Sequence, residues 1–150
     1  MDKQAREIRA ILPGTKVERV GEGIMLTMGE NAVGFDSDEA ILKANGKSNL
    51  DKLIVVFKNY KNTNIIIYGY ADNTGTEKHN QVLSLKRANA VKEYLTNKNI
   101  QIRRIKTKGL GTKDPIASNE TLEGRSKNRR VEFAIMANTK MIQNAKKSAN

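Results

Sequence analysis

The chain has 150 residues, with 27 Lys and Arg against 16 Asp and Glu, a formal net charge of +11, 38% hydrophobic residues and no Cys. This length fits one domain rather than two, and the spread of Leu, Ile and Val excludes wholesale disorder. Without Cys, disulfides, thiol catalysis and thiolate zinc sites are excluded. The positive charge attracts any polyanion, whether nucleic acid, acidic lipid or a carboxylate-bearing polymer. No apolar run approaches the roughly 20 residues that span a bilayer.

Asp2 is an N-cap candidate for a short helix carrying Ala5, Ile8 and Leu12, which Pro13 and Gly14 end. Residues 1–15 are expected to be a lead-in helix and linker. From Lys16 to Met28 a Gly21-Glu22-Gly23 turn separates Val17 and Val20 from the alternating Ile24, Leu26 and Met28, the pattern of a hairpin. The acidic run Asp36 to Glu39 is expected to cap a helix reaching about Tyr60, because Leu50, Leu53, Ile54 and Phe57 recur at three-and-four spacing. Asn64 to Tyr70 is a β-branched run expected to form a strand covered on both faces. A second long helix is expected over 77–97, a strand over 102–108, a loop over 109–121, and a last strand in which Val131, Phe133 and Ile135 alternate. The predicted fold is an α/β sandwich over 16–138, two main helices on one face of a mixed sheet of about four strands, followed by a basic flexible tail over 139–150.

Arg87 is the residue that this pattern does not absorb. On the second long helix, Leu83, Ala90, Val91, Tyr94 and Leu95 form one apolar stripe, and Arg87 falls near its middle. A guanidinium on an inward face is costly unless it meets an anion. Asp72, closing the central strand at the mouth of the loop into the same helix, is the leading neighbour, since ligands of α/β sheets often sit beyond the carboxyl ends of strands. On these grounds alone the pair is either a structural salt bridge or part of a ligand site.

Three motifs in order, GYADNTG (Gly69 to Gly75) with Asn80, LSLKRANAV (Leu83 to Val91) and NRRVE (Asn128 to Glu132), resemble the OmpA-like C-terminal domain over about Met25 to Met136. The resemblance implies non-covalent binding of the peptide stem of peptidoglycan, centred on diaminopimelic acid. Asp72 takes the family aspartate's place toward the diaminopimelate ammonium, and Arg87 that of the helix arginine toward its carboxylate, where a planar fork suits a bidentate grip. Thr74, Asn80, Arg129, Ser37 and Asp38 are implied secondary contacts. Each has a structural alternative: Asn80 or Asp38 as a helix cap, and Arg129 or Arg130 paired with Glu123 or Asp114. The chain departs from the family's Gly-His-Thr-Asp in having Tyr70 and Ala71 before Asp72. The resemblance further implies the periplasmic side of the outer membrane, with an N-terminal anchor missing from this sequence.

Two rival classes have less support. An enzyme acting on the same polymer needs a nucleophile beside a base, and the one imidazole, His79, stands next to Lys78 as a solvated residue would. With a single His and no Cys, no metal or other cofactor is expected. Nucleic-acid binding is the alternative favoured by the charge and by Arg103, Arg104, Lys106 and Lys108. Only 5% of residues are aromatic, however, and no strand carries paired stacking rings, so no nucleic acid is expected.

Overall fold

The computed structural model describes residues 2–36 and 38–138. In chain order the elements are α1 (Asp2–Ile11), β1 (Lys16–Val20), β2 (Gly23–Gly29), α2 (Glu30–Val33), α3 (Ala44–Asn59), β3 (Thr63–Gly69), α4 (Glu77–Asn97), β4 (Ile105–Gly109), α5 (Leu122–Asn128) and β5 (Arg130–Ala137). The strands form one five-stranded sheet in the order β1-β2-β5-β3-β4, parallel only between β3 and β4. The mixed α/β architecture agrees with the sequence pattern. Period-two alternation sends Leu26, Met28, Ile65, Ile67, Phe133 and Ile135 into one core with Leu50, Leu53 and Phe57 of α3 and Val91 and Leu95 of α4. Ala5 and Ile8 of α1 are buried in the same core.

Several expectations are corrected. α3 starts at Ala44 with Lys43 as its N-cap, and no side chain caps it, so the acidic run does not open the helix. The carbonyls of Asp36 and Glu39 are instead taken by Arg87, which holds these two residues outside the helix. The β3 run is fully covered on one face only: Ile65 and Ile67 are buried, whereas Ile66 and Tyr68 on the other face are half-buried. β4 begins at Ile105 because Ile102–Arg104 forms a 3-10 turn. That turn carries Arg104 inward, where its guanidinium donates to the carbonyls of Phe57 (3.1 Å) and Tyr60 (3.0 Å) at the end of α3 and of Thr63 (2.8 Å) at the start of β3. The cluster read as a nucleic-acid candidate thus loses Arg104 to the interior.

The approach of α4 to the sheet fixes where the site lies. Gly69 and Gly109, register partners at the ends of β3 and β4, both face α4. A Cβ on Gly69 would run into the Ser84 carbonyl, and one on Gly109 would stand 2.6 Å from the Leu85 nitrogen. Backbone therefore meets backbone there, and the loop after β3 folds back over the first turns of α4. The predicted tail over 139–150 lies outside the described residues.

Candidate functional site

Beyond β3 the chain continues in sheet-like pairing, Tyr70 N–H donating to the Arg130 carbonyl at 3.0 Å and Ala71 N–H to the Gly111 carbonyl at 2.7 Å. This delivers Asp72, 6% exposed, to the rim of the sheet. Its Oδ1 accepts the Thr74 N–H at 2.9 Å and its Oδ2 accepts Arg129 Nη1 at 2.5 Å. Burial pushes the Asp72 carboxyl up, but the Thr74 amide and Arg129 outweigh it and hold the group below the usual carboxylate range. Asn80 Nδ2 donates to the Asp72 main-chain carbonyl at 3.2 Å. Thr76 is the N-cap of α4, accepting from the His79 amide, so Asn80 does not cap that helix.

Arg87 is 3% exposed, as its place on the stripe requires, but the acid opposite it is not Asp72. Its Nη1 donates to Glu30 Oε2 at 3.2 Å, Nε to the Glu39 carbonyl at 2.8 Å and Nη2 to the Asp36 carbonyl at 3.0 Å, while the Phe35 ring lies 5.0 Å from the guanidinium carbon. Glu30 is brought beneath α4 by the single turn of α2, directly after β2. Burial lowers the Arg87 pKa and Glu30 opposes the shift. Arg129 Nε reaches the same Glu30 oxygen at 2.9 Å. Burial lowers the pKa of Arg129 as well, but its bonds to Asp72 and Glu30 outweigh this and raise it. The direct Asp72–Arg87 salt bridge is therefore replaced by a relay, Arg87 to Glu30 to Arg129 to Asp72. Arg129 pairs with neither Glu123 nor Asp114. Arg130 pairs with Glu132 at 2.6 Å and gives Nη2 to the Asp114 main-chain carbonyl.

The relay borders an open cleft of ≈ 640 Å³. Asp38, Asp72, Thr74, Asn80, Arg87 and Arg129 all line it, so every described residue that the resemblance points to as a peptidoglycan contact borders one space. Ser37 lies outside the described residues. Asp38 is not the cap of α3; it adopts a left-handed φ of 60°, and its Oδ1 stands 2.6 Å from His79 Nε2. His79 is half-exposed but lines the cleft, a placement its sequence neighbourhood did not indicate. Arg125 and Leu122, on the unforeseen helix α5, also line the cleft. Tyr70 turns away from the cleft: Arg130 stacks 3.7 Å over its ring, and burial with Glu132 nearby pushes its hydroxyl up to about 12 despite Arg130. The residue at the family's His position thus serves the sheet's far side, and Ala71 alone of the two departures borders the cleft.

Residues 34–129 match the model of the OmpA family. The chain belongs to the OmpA family. It is 42% identical over 137 residues to the probable lipoprotein YiaD of Escherichia coli (strain K12), covering 90% of this chain and 62% of that protein. It is 41% identical over 103 residues to the peptidoglycan-binding protein ArfA of Mycobacterium bovis, covering 69% of this chain and 32% of that one. These OmpA-family relatives are thus longer than the chain. Among solved structures, the cell wall anchor of the T6SS from Pseudomonas aeruginosa superposes with a TM-score of 0.76 at 26% identity, covering 89% of this chain and 93% of that one.

Proposed function

We propose that this chain binds peptidoglycan non-covalently at the diaminopimelate of the peptide stem, as a tether without turnover between the outer membrane and the wall. The observation that carries the reading is that Asp72 and Arg87 open on the same cleft, a carboxylate and a guanidinium offered to one ligand. An amino-acid end is a zwitterion and needs that combination. Asp72 retains lone pairs beyond those given to Thr74 and Arg129, enough to accept an ammonium. Three of the five N–H groups of Arg87 are used within the protein, which leaves two for a ligand carboxylate. Thr74 and Asn80 fix the Asp72 loop, and Arg129 and Asp38 flank the ligand. The names of the relatives, a peptidoglycan-binding protein and a cell wall anchor, support the same reading. Membrane attachment then comes from outside this domain, on the periplasmic side of the outer membrane.

Co-sedimentation with diaminopimelate-type sacculi tests it. The native chain is expected to pellet, with Asp72→Ala and Arg87→Ala each weakening binding about ten- to a hundred-fold, the scale of a hydrogen bond to a charged group. Lysine-type sacculi, which lack the side-chain carboxylate, are expected to bind less. Equal pelleting of all three proteins removes the site assignment, and no pelleting of the native chain at low salt removes the function.

A further inference from the structure

Glu30 does not line the cleft, yet both of the cleft's inner arginines end on its Oε2, Arg87 at 3.2 Å and Arg129 at 2.9 Å. Its side chain is 11% exposed. Around the cleft stand three guanidinium groups (Arg87, Arg125, Arg129) and three carboxylates (Glu30, Asp38, Asp72), of which Arg87 and Arg129 pair with Glu30 and Asp72 while Asp38 lies against His79. Arg125 gives Nη1 to the Asn119 carbonyl and has no carboxylate partner among the described residues, so Glu30 is what holds the inner wall neutral. Without it, two guanidinium groups stand side by side, and Asp72 is left as the only carboxylate on either of them.

We infer that Glu30 is a positioning residue that makes the cleft select a zwitterion over a dianion. It touches no ligand; it cancels one of the two positive charges of the inner wall, the buried Arg87 and the partly exposed Arg129, and leaves Asp72 able to attract an ammonium. A wall with one excess positive charge favours dicarboxylates without amino groups, and a balanced wall favours a ligand that brings both signs. This rests on the peptide-stem reading and adds to it the source of the ligand's required charge pattern.

The test compares meso-diaminopimelic acid with pimelic acid, which has the same seven-carbon dicarboxylate skeleton and no ammonium groups, by NMR titration of the full chain. The native protein is expected to prefer diaminopimelate. In Glu30→Gln, which keeps the shape and removes the charge, the preference is expected to fall about ten-fold, through weaker diaminopimelate and stronger pimelate binding, the size of one nearby charge in a partly buried site. Arg129→Gln, with the opposite imbalance, is expected to move the ratio the other way, and the double variant to return it toward the native value. A melting curve on each variant checks folding, and if Glu30→Gln does not fold, the direction of the Arg129→Gln shift decides. A native preference that is unchanged in the folded variants, or shifted against these signs, overturns the role of Glu30 and leaves the binding function standing. A native chain that binds neither compound removes the stem reading and this inference with it.

Discussion

Asp72 is held ionised against its own burial by Thr74 and Arg129, and the sign of that shift gives it a pH signature. A carboxyl whose folded pKa is below its unfolded value stabilises the fold above the unfolded value, and the stabilisation disappears as pH falls through the folded one. Asp72→Asn is therefore expected to lower stability at neutral pH by about 1–2 kcal/mol, the net worth of bonds to a charged group. The difference between variant and native melting temperatures is expected to hold from neutral pH down to the ordinary carboxylate range and to close only below it. A difference constant down to the most acidic pH at which both proteins fold contradicts the pairing. Which acid serves which arginine is a fact at this scale that the sequence does not disclose. Arg87 announces its need for an anion through the helical stripe, but Glu30 lies 57 positions from Arg87 and 99 from Arg129, and only the folded chain selects it over Asp72.

At the scale of elements, what is legible in the sequence is what is locally periodic. The β1–β2 hairpin, α4 and β5 follow from alternation or helical spacing, and α4 ends where it was expected. The start of α3 is not legible, because a distant arginine claims the carbonyls of the acidic run that looked like a cap. α2 and α5 escape because four and seven residues are too few to show a period. Arg104 is misread because its partners, carbonyls at the end of α3 and the start of β3, lie 41 to 47 positions away, and nothing around it in the sequence marks it as buried. The glycines give the element scale its sharpest test. At Gly109 a Cβ meets the backbone of Leu85, which cannot move without shifting α4. Gly109→Ala is therefore expected to destabilise by about 1–3 kcal/mol, the usual cost of overpacking. Because α4 carries Arg87 and Asn80, sacculus binding is expected to weaken as well. A melting temperature within error of the native value shows that the helix gives way freely and removes the argument that these strand ends set the position of the site.

For the whole molecule, the net charge of +11 and the cleft make separate demands on the solvent, and salt separates them. Exposed charges act over a Debye length of about 10 Å at 0.1 M, which shrinks to about 3 Å at 1 M, so attraction between the basic surface and any polyanion fades steeply. Lys106, Lys108 and Arg103 are exposed and belong to that surface, whereas Arg87, Asp72 and Glu30 are largely shielded from solvent. Buried pairs are screened much less. A domain whose partner is a nucleic acid would lose its hold as salt rises, with a slope set by the phosphates it neutralises. A domain that grips a zwitterion in a cleft should keep most of its hold, since the ligand brings no net charge. Retention on diaminopimelate-type sacculi is therefore expected to fall only modestly from low salt to half molar, retention on DNA to vanish over the same range, and Asp72→Asn to bind sacculi weakly at every salt concentration. If sacculus and DNA retention fall together, and Asp72→Asn follows the native curve, the charge and not the cleft is what holds the wall.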